Sequence, residues 1–218
     1  MTLKVLFFTA CLVPFLNPVF GREKAFLPTT ASGIDSIYIE LGAGHSPLPD
    51  FAVFQKAMQS LNSLPDGAKM VPDIISIIDF TKPSTEKRLW VIDLRNGKVL
   101  HHTLVAHGKN SGELYARKFS NVPESKQSSL GLYVTGTTYI GKHGLSLKLH
   151  GLEPGVNDRA EQRAIVIHAA DYVSESYVKK TGRLGRSFGC PAIPLENHQE
   201  IIKKLANGSC LYIHYASS

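Results

Sequence analysis

Two segments, RAIVIHAADYV (residues 163–173) and GRSFGCPAIP (residues 185–194), decide how the fold is interpreted. The first is apolar and β-branched until it ends at His168, as expected for a buried strand. The second places Cys190 in a glycine-rich turn, where a thiol can be accessible. The connection between the histidine and the cysteine is about twenty residues long, which is enough for a loop to bring them together.

Short β-rich segments continue outward from this pair. Six more candidate strands are IISIIDF, RLWVIDL, KVLHHTLVAH, GLYVTGTTYIG, LSLKLHG and CLYIHY, which lie at residues 74–80, 88–94, 98–107, 131–141, 145–151 and 210–215. The RNG tripeptide at residues 95–97 predicts a hairpin turn between two of them. No repeat or low-complexity linker interrupts the pattern, so we expect one mostly β (α+β) domain.

Helices are expected only at the edges of this domain. Within SPLPDFAVFQKAMQSLNSL (residues 46–64), Phe51, Phe54, Ala57, Met58 and Leu61 have helical spacing. PLENHQEIIKKLANG (residues 194–208) predicts an amphipathic helix closed by a glycine, and residues 172–181 a short helix or ordered loop. Residues 22–46 show little periodicity and predict an extended segment leading into a domain over residues 47–218.

Bulk composition narrows the functional classes. The chain has 218 residues, 43% of them hydrophobic, which suffices for one domain with a real core. The net charge of +6 is dispersed without a Lys/Arg tract, which argues against nucleic acid and favours an anionic polymer or peptide as partner. We expect a monomer.

The N-terminus predicts secretion. One lysine precedes an apolar run in MTLKVLFFTACLVPFLNPVF (residues 1–20), with cleavage expected near Gly21, so residues 1–21 are interpreted as a signal peptide. The run is too short to cross a bilayer, so no stable membrane span is expected. Lipidation at Cys11 is the less favoured alternative, because little apolar sequence precedes it.

If the signal peptide with Cys11 is removed, two cysteines remain, and in a secreted protein they raise the question of a disulfide. In an oxidising compartment, Cys190 and Cys210 would ordinarily form a disulfide, and this alternative stays open. Cys210 begins an alternating strand, where a free thiol packs as a small hydrophobic group. We therefore favour two free thiols.

A cysteine and a histidine in one cleft indicate nucleophilic catalysis. A thiol attacks an amide carbonyl as the thiolate, and a neighbouring imidazole both takes its proton and later protonates the leaving amine. Gly189 allows close approach of the backbone, and the amides of Gly189 and Cys190 are the expected oxyanion donors. Ser187 is expected to hydrogen-bond within the turn. On pattern alone, a satisfied strand-end histidine and a packed thiol explain the sequence equally well.

These residues resemble a known family. IVIHAADYV followed by GRSFGCPAIP is similar to the YkuD-type L,D-transpeptidases, whose signature is a strand-end His followed by Ser-x-Gly-Cys. The resemblance extends to the murein L,D-transpeptidase catalytic domain family through the longer runs IIDFTKPSTEKRLWVIDLRNGKVL, VAHGKNSGELYARKFSN and SSLGLYVTGTTYIGKHGLSLKLHGLEPGVNDRA. It implies a single-domain β-sandwich or barrel with a few peripheral helices.

The resemblance also implies roles. Cys190 is the implied nucleophile, His168 the implied base, Ser187 the family serine, and the carbonyl of Ala169 orients the histidine. The family often has arginine two positions after the cysteine, where this chain has Ala192. The implied substrate-binding set is therefore Arg183, Arg186 and Ala169. No metal and no cofactor are implied.

The implied reaction is acyl transfer on peptidoglycan stem peptides in the periplasm or cell envelope. The cysteine attacks the carbonyl of the third stem residue, expels the fourth, and passes the acyl group to an amine, which forms a 3-3 cross-link or exchanges the fourth residue. With water as acceptor the activity is that of a carboxypeptidase. A cluster of Lys179, Lys180, Arg183 and Arg186 suits anionic stems, although a solvated basic face explains it equally well.

Three competing interpretations remain. STEK (residues 84–87) and KTG (residues 180–182) match motifs of penicillin-binding proteins, but Ser84 is expected in a loop rather than opening a buried helix. A zinc site among the nine histidines lacks an H-E-x-x-H motif, and His101 and His102 should point to opposite faces of a strand. A non-catalytic wall-binding module is the third alternative.

The remaining histidines are expected to be structural. AHGKNSG (residues 106–112) contains a second His-Gly at His107 and predicts a strand-end turn, with a place lining the cleft as the alternative. His150, His198 and His214 have no convincing partner in the sequence.

Overall fold

The computed structural model describes residues 30–63 and 73–216. The expected signal peptide, residues 1–21, and residues 22–29 lie outside the described part of the chain. The strands are β1 (Ile74–Asp79), β2 (Leu89–Asp93), β3 (Lys98–Thr103), β4 (Gly131–Gly141), β5 (Gly144–Gly151), β6 (Val166–Ala169), β7 (Ala192–Ile193) and β8 (Cys210–His214). The helices are α1 (Ala31–Ala43), α2 (Phe51–Asn62), α3 (Glu175–Thr181) and α4 (His198–Leu205), with a 3₁₀ turn at Lys109–Ser111.

The strands form one barrel-like sheet. Within the described residues its eight strands are ordered β3-β2-β1-β8-β4-β5-β6-β7. β1 pairs in parallel with β8, and β6 pairs in parallel with β7. Just beyond β3, Ala106 and Ala192 exchange backbone hydrogen bonds, with N···O distances of 2.8 and 3.4 Å. This contact joins the two edges and nearly closes the sheet, so the expected mostly β, single-domain fold is confirmed, in its barrel form.

The sheet is covered on both faces, which explains why four of the six residues of β1 are isoleucine. All six residues of β1 are buried. Ile74 and Ile78 belong to the core shared with α4, whereas Ile75 and Ile77 belong to the core shared with α1 and α2. Because successive strand residues point to opposite faces, a strand between two cores needs a continuous apolar run.

The prediction of an extended segment over residues 22–46 is wrong for the part that the structure describes, because Ala31–Ala43 form the helix α1. Thr30 accepts a hydrogen bond from the Gly33 N–H at 3.2 Å and so caps α1. The buried residues of this helix are Ile34, Ile37 and Leu41. Their spacing of three and four residues is helical, but the polar residues between them and one isoleucine on the exposed face weaken the pattern.

The second helix was predicted correctly, apart from one position. α2 buries Phe54, Ala57, Met58 and Leu61 as expected, but Phe51 remains 38% exposed and Val53 is buried instead. Phe51 is the first residue of the helix, and its ring packs edge-on against Tyr38 of α1 at a centroid distance of 5.0 Å. It therefore covers the seam between the two helices rather than entering the core.

The β4–β5 hairpin is the element that carries side chains over the site described below. Its strands pair up to Gly141 and Gly144, with a register shift between Thr135 and Thr138. Gly144 has a φ of +75°, a left-handed conformation that glycine adopts without strain. Lys142 and His143 therefore occupy a tight turn at the end of the hairpin.

Candidate active site

His168 is held by the sheet at the far end of β6. Its Cα pairs with Ser146 of β5 on one side and with Ala192 of β7 on the other. The residue is only 3% exposed. A residue paired on both sides in a sheet has little backbone freedom, so the imidazole is placed precisely.

One hydrogen bond fixes the tautomer of this imidazole. Nδ1 of His168 lies 2.9 Å from the carbonyl oxygen of Ala169. A carbonyl can only accept, so Nδ1 carries the proton and Nε2 of the neutral ring is left as a base. This is the contact that the family resemblance implied for Ala169.

The turn before the cysteine is organised by Ser187. Its Oγ donates to the carbonyl of Cys190 at 2.6 Å and accepts from the Gly189 N–H at 3.1 Å. Its backbone N–H donates to the carbonyl of His107 at 3.0 Å, and its carbonyl accepts from Lys109 at 2.7 Å. Ser187 is 5% exposed and is therefore a positioning residue inside the turn.

These contacts bear on the two amides expected to bind an oxyanion. The Gly189 N–H, expected to face the substrate, is occupied by Ser187 Oγ. Backbone hydrogen bonds from Val166 and Cys190 itself act on the sulfur and favour the thiolate. Of the two amides, that of Gly189 is therefore engaged within the turn.

Gly189 is required for steric reasons. Its φ is +130°, and a Cβ at this position would lie 2.8 Å from the carbonyl oxygen of Gln127 and 3.0 Å from Ile165 Cδ1. Its own carbonyl accepts a hydrogen bond from Ser128 at 3.2 Å. The turn is therefore packed tightly against the segment around residues 127–128.

Cys190 and His168 line the same cavity. This cavity has a volume of about 400 Å³ and lies between the turn at residues 186–190, β6 and the β4–β5 hairpin. Cys190 is half-buried, and its Sγ lies 3.7 Å from the carbonyl oxygen of Ala164. Cys190 and Cys210 are not joined by a disulfide in this structure. Cys210 lies in the core beneath α1 and α2, away from the turn.

The resting protonation of the pair follows from burial. Burial lowers the pKa of His168 below its usual 6.5, helped by the nearby charges of His143 and Lys142. Burial raises the pKa of the Cys190 thiol above its usual 9.0, against the lowering effects of backbone hydrogen bonds and of Arg163 and Lys142. At neutral pH the pair is therefore a thiol and a neutral imidazole.

The hairpin turn contributes two residues that the sequence analysis missed. The ring of His143 stacks on that of His168 with centroids 4.3 Å apart and an interplanar angle of 18°. Lys142 lines the cavity and affects the pKa of both His168 and Cys190. Their only sequence signal is a histidine and a lysine between two glycines in a predicted hairpin, which does not indicate what they face.

A third missed residue is Arg163, which lies beneath the cysteine. Its guanidinium donates to the carbonyls of Ser120 and Gln127 and to the hydroxyls of Ser125 and Ser129. It also lowers the pKa of Cys190 through its charge. Arg163 therefore ties the loop around residues 120–129 to the site while stabilising the thiolate.

The two arginines expected to bind substrate are already paired. Arg186 Nη1 lies 2.6 Å and Arg183 Nε 3.0 Å from the carboxylate of Glu113. Arg186 lines the cavity, whereas Arg183 does not. The expectation that these residues supply the free positive charge is not supported by their contacts.

The second His-Gly motif supports the turn that carries Cys190 from outside the cavity. His107 is fully buried, and Nη2 of Arg88 donates to its Nδ1 at 2.8 Å, which leaves Nε2 to donate to the carbonyl of Gly112 at 3.2 Å. Burial and the charge of Arg88 lower the pKa of His107 to about 3. His107 does not line the cavity, so the strand-end turn is the correct interpretation.

The competing motifs are not assembled into sites. Ser84 is 1% exposed, and its Oγ accepts a hydrogen bond from the Leu184 N–H at 3.3 Å. His101 pairs with Glu200, whereas His102 stacks on Trp90. Among residues 30–63 and 73–216, no group of three His, Cys, Asp or Glu side chains is arranged to hold a metal ion.

Two histidines have partners that the sequence did not reveal. His150 Nδ1 lies 3.3 Å from a carboxylate oxygen of Glu161, and His198 Nδ1 lies 2.6 Å from the carbonyl of Leu195. Neither residue lines the cavity, and neither does His214. A structural role for these three histidines agrees with their positions.

Comparison with known proteins establishes the family. The family described as the L,D-transpeptidase catalytic domain matches residues 46–214. The chain therefore belongs to the L,D-transpeptidase catalytic domain family. None of the helices in the described part of the chain is long and apolar enough to cross a membrane. No curated protein matches the sequence.

The solved structures that match this chain are distant in sequence. An L,D-transpeptidase from Mycobacterium smegmatis is 13% identical, with a TM-score of 0.40, over 66% of this chain and 59% of that chain. The helical cell shape determining protein of Campylobacter jejuni is 13% identical, with a TM-score of 0.41, over 73% of this chain and 55% of that one. An L,D-transpeptidase from Stackebrandtia nassauensis is 13% identical, with a TM-score of 0.39, over 84% and 77% of the two chains. The chain thus spans less than two thirds of the length of the first two proteins.

Proposed function

We propose that this protein is a secreted L,D-transpeptidase that acts on peptidoglycan stem tetrapeptides through a thioester on Cys190. The observation that carries the proposal is the shared cavity, in which a half-buried thiol and an imidazole of fixed tautomer face the same space. The family supplies the reaction class, and the two side chains supply a nucleophile and a base.

The first half-reaction begins with a neutral pair. As Sγ of Cys190 attacks the carbonyl carbon of the third stem residue, Nε2 of His168 takes the thiol proton. The carbonyl of Ala169 accepts from Nδ1 and stabilises the imidazolium that forms. The amide bond to the fourth residue then breaks, and the imidazolium protonates the leaving amine. The product is an acyl-thioester and a free D-amino acid.

The second half-reaction reverses these roles. Neutral His168 removes a proton from the amine of a neighbouring stem, and that nitrogen attacks the thioester carbonyl. The C–S bond breaks, the thiolate is reprotonated from the imidazolium, and a 3-3 cross-link is released. A free D-amino acid as acceptor gives exchange of the fourth residue, and water gives carboxypeptidase activity.

The oxyanion of both steps is assigned to the Cys190 amide rather than to that of Gly189. The Gly189 N–H is held by Ser187, while the Cys190 N–H acts at the sulfur. Arg163 and Lys142 add positive charge near the same atom. Charge that develops beside the sulfur is therefore stabilised by groups already in place.

The test is incubation of the purified protein with a disaccharide-tetrapeptide and identification of the products by mass. Dimers that have lost one D-alanine support transfer, and tripeptide alone supports a carboxypeptidase. Cys190→Ala should lower turnover on the order of 10³-fold or more, because the covalent step is lost. Cys210→Ala is the matched control, since that thiol is buried away from the cavity. Unchanged substrate at every enzyme concentration, with retained binding to wall fragments, would instead support a non-catalytic module.

A further inference from the structure

The cationic side chains around the cavity differ in whether they already bind anionic or carbonyl groups of the protein itself. Four cationic side chains line it, those of Lys126, Lys142, Arg163 and Arg186, together with the acidic Glu124. Arg163 donates to four neighbouring oxygens, and Arg186 is paired with Glu113 at 2.6 Å. The two arginines are therefore occupied by the protein itself.

The two lysines are not occupied in this way. Across residues 30–63 and 73–216, neither ammonium comes within ion-pair distance of a carboxylate, that of Glu124 included. Nζ of Lys126 lies 5.1 Å from the centre of the ring of Phe188, which also lines the cavity. Lys142 is held at the hairpin turn beside His143, whose ring rests on the base.

The lysines approach the catalytic pair from separate elements. Lys126 precedes Gln127, whose carbonyl packs against Gly189, so this lysine belongs to the loop beside the turn. Lys142 belongs instead to the β4–β5 hairpin. Two cations on different walls of one cavity suit a ligand with two carboxylates better than a ligand with one.

We propose, on the basis of the function proposed above, that Lys126 and Lys142 form a two-cation site for the free carboxylates of the donor stem. One carboxylate is the C-terminus of the departing fourth residue. The other belongs to the third residue, which must then be a diamino acid with a second carboxylate of its own. The site thereby selects diamino-dicarboxylic stems over stems with lysine, or with an amidated diamino acid, at the third position.

The experiment pairs lysine variants with substrates that lack one carboxylate. The variants are Lys126→Met, Lys142→Met and, as control, Lys148→Met, which lies on β5 and lines a different cavity. The substrates are a tetrapeptide with both carboxylates free, its C-terminal amide, and its analogue with lysine at the third position. D-residue release is measured for each combination, and KM and kcat are determined at pH 8, where His168 is neutral.

We expect each cavity variant to raise KM for the free diacid about tenfold, with kcat changed less, because a charge-assisted contact is lost. Each variant should lose discrimination against one of the two modified substrates, and Lys148→Met should match the wild type. A KM for the diacid equal to that of the wild type in both variants would overturn the proposal.

A binding measurement separates failure of the site from failure of the chemistry. In the Cys190→Ala background, calorimetry with the diacid peptide reports affinity without turnover. Weaker binding on adding Lys142→Met or Lys126→Met supports the carboxylate site even if the wild-type protein releases no D-residue, in which case only the proposed activity fails. Equal affinity in all backgrounds contradicts the site regardless of the activity.

Discussion

The imidazole of His143 lies parallel to that of His168, with ring centroids 4.3 Å apart. The imidazole of His168 is thus held in three ways: by the pairing of its strand, by the Ala169 carbonyl at Nδ1, and by a ring from the hairpin turn. The turn is part of the hairpin that covers the cavity. Movement of this hairpin would therefore change both access to the cavity and the environment of the base.

The first prediction separates stacking from charge at His143. His143→Ala should lower kcat/KM about tenfold because the base loses the ring that orients it. His143→Phe keeps a stacked ring and should recover most of this loss. His143 contributes to the lowering of the pKa of His168, so both variants should move the acidic limb of the pH profile of kcat/KM to higher pH. Profiles identical to the wild type in both variants would show that His143 only packs.

The second prediction concerns the protonation of the resting pair. Because burial lowers the pKa of His168 and raises that of Cys190, the thiolate should be absent at neutral pH. The ultraviolet absorbance of thiolate, taken as wild type minus Cys190→Ala, should rise only above pH 9. The plateau of kcat/KM should extend below pH 6.5, because the base stays neutral there. A strong thiolate signal at pH 6 would indicate a preformed ion pair and contradict this mechanism.

The strands, and the meeting of Cys190 and His168 in one cavity, were accessible from sequence because their signals are local. A buried strand between two cores needs consecutive apolar residues, and a nucleophile in a tight turn needs glycine beside it. Helix α1 was missed because the residues between Ile34, Ile37 and Leu41 are polar or, like Ile39, apolar but exposed, and both dilute the helical period.

The rest of the site was not accessible, because it depends on contacts through space. Neither the stacking of His143 on His168 nor the pairing of Arg183 and Arg186 with Glu113 has a signature in sequence spacing. The capture of the Gly189 N–H depends on one side-chain rotamer of Ser187.

The third prediction tests why residue 189 is glycine. Gly189→Ala combines a positive φ with contacts of 2.8 Å to Gln127 and 3.0 Å to Ile165, so the turn must shift. We expect destabilisation of about 1–3 kcal/mol and a larger loss of activity, because Cys190 moves with the turn. Gly155→Ala is the control, since Gly155 has a φ of +76° but no atom within 4 Å of an added Cβ. Urea denaturation and D-residue release measure the two effects, and equal losses in both variants would exclude the steric explanation.

The fourth prediction uses His107 as a pH-dependent support of the turn. Its pKa is about 3 in the folded protein and about 6.5 when unfolded, so the unfolded state binds more protons between these values. The contribution of His107 to the free energy of unfolding should therefore be complete above pH 6.5, and it should decline as the pH falls towards 3. This one group contributes up to about 1.4 kcal/mol per pH unit.

The measurement is the free energy of unfolding of the wild type and of His107→Leu at pH 7.0 and pH 5.0. The variant should be less stable at pH 7.0, because Arg88 loses the acceptor at Nδ1, but its stability should depend less on pH. Other carboxyl and imidazole groups titrate in both proteins, so the difference between the two slopes isolates His107. If the slopes are the same, His107 does not remain neutral in the folded protein, and its bridge from Arg88 to Gly112 must be weaker than these distances indicate.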